Sequence, residues 1–435
     1  LNSGKGRWHR PRRGGQEFNT AAVMAEKPPE EEKPAETYPI MALAQKRTML
    51  MGENCPDRER IRSEILATVR EKGMLPYYEK YLCPGVVGPP DESLKAQLQK
   101  QNEEEQATLE EKIKDAKENL GDIEIRDALL AKATFFNRIG DKEQAIKGYE
   151  EAFAKTVGVG AKLDNILTVI RIAFFFDDTA LMKKHIDRAK TELGKGGDWE
   201  RRNKLKVYEG IYLMISRSWK EAAKLFLNVM PTFTATELVE FKDFVFYAVI
   251  VAMVSMDRPT VRNQLVSSPE VLSVIKETPN LQGFLESYFY CRYKEFMKSF
   301  VPVVDLIRAD RYLMRHLKYF MRMMRLNAYR QFLASYRSVK LEAMANEFGV
   351  SANFIDSELS SFISSGKLTC KIDKVAGVVE SNESDSRSQV LGRVLELIED
   401  TTCDSSAPAR PSPRTARHTE DMQEYVTLEA GQDAR

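Results

Sequence analysis

Four histidines, five cysteines and a run of three glutamates are the residues of this 435-residue sequence that could do chemistry, and their spacing argues against it. His9, His185, His316 and His418 stand alone, none in the H-x-H or H-E-x-x-H spacing that turns two imidazoles toward one zinc ion. Cys55, Cys83, Cys291, Cys370 and Cys403 never form C-x-x-C. Their scatter and odd number predict a reducing compartment without a disulfide frame or a zinc site. Glu103-Glu104-Glu105 lies in a helical pattern, where successive side chains point about 100° apart, so the carboxylates diverge into a solvated face. Gly194-Lys195-Gly196-Gly197 lacks the order G-x-x-x-x-G-K-[ST] and has no strand before it; it reads as a helix-ending turn, as does Gly158-Val159-Gly160. No nucleophile, base and orienting partner come together. The chain reads as a non-enzyme, with no catalytic residue, no metal site, no cofactor and no small-molecule substrate.

What remains is surface. Lys and Arg number 65 against 64 acids, so the net charge selects no partner, and no apolar run is long enough to span a bilayer. One stretch is locally basic: Arg308 to Arg337 holds eight Lys or Arg residues and the single acid Asp310. A helix from Arg311 to Tyr336 is predicted there. Leu313, Leu317, Phe320 and Met324 form its apolar face, and Arg311, Arg315, Lys318, Arg322 and Arg325 form a basic face roughly opposite. This is the feature most like a nucleic-acid footprint. A solvated basic face, or docking against an acidic neighbour, is the preferred reading because the module that follows is acidic.

Upstream, apolar spacing describes three helix pairs between Ile123 and Met230. Ala131 to Ile139 turns at Gly140-Asp141 into Ala145, Tyr149 and Ala152. Leu163 to Phe176 turns at Asp177-Asp178 into Met182, Ile186 and Ala189. Leu205 to Ile215 leads to Trp219, Ala223 and Leu227. The turns at Asp141, Asp178 and Trp219 are 37 and 41 residues apart, near the tetratricopeptide period of ~34 but looser. Such pairs stack into a right-handed, curved solenoid suited to holding proteins. Helical patterns at Phe241 to Met256 and Leu281 to Phe300 extend it, and a long charged helix from Glu92 to Leu120 precedes it.

Val339 to Glu380 reads as helix, turn, helix and hairpin, a winged helix. Leu341, Met344, Ala345 and Phe348 share one face, and Gly349 stops the helix. Ser351 caps a second helix whose buried face is Phe354, Ile355, Leu359, Phe362 and Ile363. Strands are predicted at Leu368 to Ile372 and Val375 to Val379, joined at Asp373-Lys374. From Ser351 to Ser365 there is no Lys or Arg. Across the module Lys340, Lys367, Lys371 and Lys374 face six acids: Glu342, Glu347, Asp356, Glu358, Asp373 and Glu380. A phosphate backbone would be repelled, and protein contact is expected ahead of nucleic acid.

The fold class is therefore mainly α: a TPR-like solenoid followed by a C-terminal winged-helix module with a small β-hairpin. Residues 1–45 are predicted disordered, with 1–23 a leader or fragment boundary ahead of Met24. N-terminal helices follow over 46–121, repeats over 122–300, and the linker helix and wing over 301–381. In the tail, 382–435, a short amphipathic helix is predicted from Val390, Leu391, Val394, Leu395 and Ile398, and disorder from Cys403 onward.

Helical repeats feeding a terminal winged helix resemble the PCI-domain proteins, the scaffolds of the proteasome lid, the signalosome and a translation-initiation complex. The runs Gly196 to Tyr212, Ile125 to Ile146 and Phe348 to Val375 look most like a non-ATPase regulatory subunit family of the proteasome lid. That resemblance covers about residues 57–384. It implies a structural, non-catalytic subunit of cytoplasm and nucleus acting in lid assembly and in ATP-dependent degradation of ubiquitinated proteins. Its implied partners are other lid PCI subunits, the ATPase ring and the core particle. It further implies that Leu368, Cys370, Ile372, Val378 and Val379 frame a lateral contact between wings, by strand addition. The tail helix, by the same resemblance, joins a helical bundle made by the carboxyl-terminal ends of the lid proteins. Similarity fades after about Asp385, ahead of that helix. A signalosome-type PCI scaffold and a nucleic-acid-binding winged-helix protein are the alternatives.

Overall fold

A computed structural model describes residues 37–52, 57–83, 85–89, 91–119, 121–278, 280–381 and 393–395. The predicted leader, most of the N-terminal extension and most of the tail lie outside the described residues, as do Val390, Leu391 and Ile398 of the candidate bundle helix. Val394 and Leu395 fall in one helical turn at 393–395, where Leu395 is exposed.

Helix starts earlier than composition indicated. α1 spans Met41–Met51 and buries Leu43, Ala44 and Leu50. The charged, proline-rich composition that marked this stretch as disordered ends at Pro39, and the apolar residues after it have a surface to cover. α2 (Arg58–Lys72) contributes Ile65 and Val69 to the same cluster. α3 (Leu75–Tyr77) and the π-helical turn Tyr78–Leu82 add Tyr77, Tyr78 and Leu82. α4 (Glu92–Asn119) buries only Leu94, Leu98, Ile113 and Ala116. Its three glutamates diverge: Glu103 accepts from Gln99, and Glu105 from Arg138.

The three helix pairs are α5 (Asp122–Ile139) with α6 (Lys142–Lys155), α7 (Val159–Phe175) with α8 (Thr179–Gly194), and α9 (Trp199–Ile215) with α10 (Trp219–Val229). Each turn uses the left-handed region, at Gly140 (φ 82°), Asp177 (φ 61°) and Arg217 (φ 67°). In the first two the next residue is an N-cap: the Asp141 carboxylate accepts from Glu143 and Gln144 N–H, and that of Asp178 from Leu181 N–H. Gly140 also permits a close approach, since a Cβ there would lie 2.6 Å from the Cβ of Tyr77. Lys142 bridges the first two turns through Asp178 at 2.6 Å.

α11 (Phe241–Ser255) buries every residue from Phe244 to Val254 and forms the axis on which the second half is built. α12 (Arg258–Val261), α13 (Pro269–Ile275), α14 (Leu281–Phe289) and α15 (Tyr293–Ala309) follow. The helical run predicted over Leu281 to Phe300 is broken, because Cys291 adopts φ 59° and the chain reverses there. The reversal stacks Phe284 on Phe296 and Phe300, with ring centroids 5.3 and 5.8 Å apart.

The basic segment is likewise not one helix from Arg311 to Tyr336. After Ala309 the chain makes a turn and a short 3-10 segment, Met314–His316, before α16 (Leu317–Leu333). Asp310 sets the break. Its half-buried carboxylate accepts from Tyr312 and Leu313 N–H, at 2.9 and 2.8 Å, and from the Tyr247 hydroxyl at 2.6 Å.

The wing is β1 (Ser338–Lys340), α17 (Leu341–Phe348), α18 (Ala352–Ser364), β2 (Cys370–Asp373) and β3 (Val378–Ser381). The sheet is antiparallel with order β1-β3-β2, pairing Val339 with Val379 and Ile372 with Val379. Strand β1 was not predicted, and the hairpin turn lies further along than Asp373-Lys374. The Asp373 carboxylate accepts from Val375 and Ala376 N–H, and Gly377 supplies a positive φ of 65°, so Val375 is a fully exposed turn residue. A single apolar cluster runs from Leu163 in α7 to Val379 in β3, so solenoid and wing share one core.

Candidate protein interface

The basic stretch proves to be an internal clasp. Arg311 is only 6% exposed, and its guanidinium donates to the carbonyls of Phe174 (2.9 Å) and Phe175 (2.7 Å) at the C-terminal end of α7. Those carbonyls have no partner within their helix, and the negative end of the helix dipole favours a cation there. Five residues later His316 does the same to α9: its Nε2 lies 2.9 Å from Ile215 O, and Arg217 donates to its Nδ1 at 3.4 Å. Nε2 therefore carries the proton and the ring is neutral. Burial lowers its pKa, in agreement. The edge of Trp219 packs on His316 and Tyr319. Arg315 pairs with Asp177 in the α7–α8 turn. One segment thus holds two successive repeat turns.

The same segment is tied to the N-terminus. Gln45 of α1 donates to Ala309 O at 2.9 Å and accepts from Arg311 N–H at 3.0 Å. Burial raises the pKa of Asp310, while the Tyr247 hydroxyl and two backbone N–H groups hold its carboxylate in place. Along α16, Arg325 pairs with Glu358 of α18 at 2.9 Å, and Tyr329 donates to the same carboxylate at 2.9 Å. Arg322 stands over the Phe362 ring. Of the five basic-face residues, then, Arg311 is buried, Arg315 (exposed) and Arg325 are ion-paired within the chain, and Lys318 and Arg322 are exposed with no ion-pair partner among the described residues. The single basic face is replaced by contacts on three sides, because the helix that would align it begins only at Leu317 and leaves Arg311 and Arg315 in the segment before it.

The wing residues divide in the same way. Val378 and Val379 lie in β3, which is paired on both sides, so they cannot receive an added strand; Val379 is 0% exposed beneath the sheet. Leu368 precedes β2 and is buried. Cys370 and Ile372 are in β2, an outer strand whose far side has no partner among the described residues. β1 is the other outer strand, and its Ser338, Val339 and Lys340 were missed because three residues carry no readable alternation. Gln45, His316, Tyr329 and Glu358 were also missed as junction residues, since their partners lie far away in sequence. Helix α18, at the place of a recognition helix, carries no Lys or Arg.

Among the described residues no group of three or more His, Cys, Asp or Glu is placed to hold a metal ion, and no helix is long and apolar enough to cross a membrane. His185 is buried with neither ring nitrogen hydrogen-bonded.

A repeat solenoid clasped to an acidic winged helix defines a PCI-type scaffold, and the PCI domain model matches residues 303–383. A second family model, 26S proteasome subunit RPN7, matches residues 91–264. The 26S proteasome non-ATPase regulatory subunit 6 homolog of Arabidopsis thaliana is 46% identical over 352 residues, which span 80% of this chain and 91% of that protein. The 26S proteasome regulatory subunit RPN7 of Saccharomyces cerevisiae is 34% identical over 350 residues, spanning 74% of this chain and 81% of that one. The chain belongs to this RPN7 family of proteasome regulatory subunits. COP9 signalosome complex subunit 1 of Emericella nidulans is 25% identical over 311 residues, spanning 67% of this chain and 61% of that protein, a more distant relation.

Proposed function

We propose that this chain is a non-catalytic scaffold subunit of the 26S proteasome regulatory particle lid, acting in lid assembly and in ATP-dependent degradation of ubiquitinated proteins. Family membership carries the reading. Within it, the feature that carries the mechanism is a small sheet with β3 paired on both sides and two short outer strands. The outer side of β2, at Cys370 and Ile372, offers backbone groups for a neighbouring subunit's strand, with Lys371 and Asp373 exposed beside them to select it. The partners under this reading are other lid PCI subunits, then the ATPase ring and core particle, in cytoplasm and nucleus. The internal use of Arg311, Arg315 and Arg325 weighs against the nucleic-acid alternative. The greater likeness to proteasome relatives weighs against the signalosome one.

The test is a tagged purification of the full 435-residue chain with mass spectrometry of the eluate. Lid, base and core subunits in near-equal amounts are the expected result. Lid neighbours alone would keep the wing contact and locate a defect in the tail. Signalosome subunits, or RNA without lid subunits, would overturn the assignment.

A further inference from the structure

One surface is left over once these contacts are assigned. α16 and α18 diverge to form an open groove along the side of the wing. On the α16 wall Lys318 and Arg322, one helical turn apart, are both exposed, and among the described residues neither has a carboxylate within ion-pair distance. Glu358 reaches into the groove, but Arg325 and Tyr329 occupy its two oxygens, so it does not neutralise those cations. On the α18 wall Phe354 is 41% exposed although it belongs to the helix's apolar set, with exposed Ser357 and Ser361 beside it. Arg322 is held over the Phe362 ring, which fixes its position and leaves the guanidinium edge open.

We propose that this groove docks an acidic, amphipathic segment of a neighbouring protein subunit. Lys318 and Arg322 pair with two of its carboxylates, and Phe354 receives an apolar side chain between them. Charge complementarity singles out this occupant. Lys318 and Arg322 are exposed cations without an ion-pair partner among the described residues, whereas the acids nearest them on α18, Asp356 and Glu358, are already paired with Lys374 and Arg325. Lys318 and Arg322, one helical turn apart on the same wall, present two cations to two carboxylates. Phe354 adds the apolar demand that a nucleic-acid backbone does not meet. The inference rests on the scaffold reading and names a contact apart from the wing edge.

The test uses the full-length chain in cells with Ser357, exposed on the α18 wall, replaced by a photoreactive phenylalanine analogue. Complexes are purified and irradiated, and the crosslinked peptide is sequenced. An adduct to a partner segment with Asp or Glu flanking an apolar residue is expected, its yield falling about tenfold when Lys318→Glu and Arg322→Glu are combined. Both are exposed, so an unchanged melting temperature should accompany the loss. No adduct, an adduct to a neutral or basic stretch, to this chain itself or to nucleic acid, or a yield indifferent to charge reversal would each overturn the proposal. Subunits eluting before irradiation score the scaffold reading separately.

Discussion

Arg311 donates to the carbonyl of Phe175 at 2.7 Å across 136 residues of sequence, in a position 6% exposed. That bond closes the last turn of α7 and fixes where the segment leading to the wing crosses the repeats. A scaffold needs such a joint, because the direction of its wing relative to its solenoid sets where its partners sit.

Arg311→Met should therefore destabilise the protein strongly. It leaves two carbonyl ends without their charge-assisted donor, an expected cost of about 3 kcal/mol. Chemical denaturation reads this as a lower midpoint. Arg311→Lys should recover only part, since a more strongly hydrated ammonium on a different stem must be buried and reach the place of the one nitrogen, Nη2, that makes both bonds.

Glu358 is the matching joint on the wing side. Glu358→Gln weakens the Arg325 pair and the Tyr329 bond together, and about 1–2 kcal/mol should be lost. Tyr329→Phe should cost less. Hydrogen exchange in α18 is the measurement, with faster exchange there and unchanged protection in α7.

The two sides of the sheet should respond differently. Val379 is central and buried, and Val379→Ala should cost about 2 kcal/mol. Lys371, exposed on the outer strand, should change stability by less than about 0.5 kcal/mol as Lys371→Ala. Equal effects would contradict the order β1-β3-β2.

His185 and His316 should make the fold acid-sensitive. Burial, with lesser contributions from Arg188 and Lys184 at His185 and from Arg217 and Arg315 at His316, lowers both pKa values from 6.5. Between the folded and unfolded values the unfolded chain binds more protons, so stability rises with pH and is lost as pH falls below the ordinary histidine range. Asp310 acts in the opposite sense at more acidic pH, because burial raises its pKa and the folded state then binds the extra proton. Melting temperatures across a pH series should fall on acidification, with a shallower slope in His316→Gln.

Nucleic-acid binding should be weak. A single-stranded oligonucleotide titrated at rising salt should show a shallow dependence, since of the five only Lys318 and Arg322 are exposed without an ion-pair partner among the described residues, the exposed Arg315 being paired with Asp177.

Much of this fold can be read locally. Apolar spacing marks the helix pairs, and Asp141, Asp178 and Ser351 cap helices three or fewer residues away, so their signal lies within one turn of chain. The wing's two helices and approximate hairpin follow from the same short-range rules. What local pattern could not supply was every relation spanning many residues. Strand β1 becomes a strand only because β3 pairs with it, and Val379 is central rather than at an edge for the same reason. For the face formed by Arg311, Arg315 and Arg325 the sequence leaves two readings, solvated or docked on an acidic neighbour, and a helical wheel cannot choose between them because it contains no neighbouring elements. Its partners at Phe174, Asp177 and Glu358 arrive only when the solenoid and wing close on a shared core. Helix and cap are settled by nearby backbone sterics and hydrogen bonds; which charges reach solvent is settled by packing, and here packing decided it.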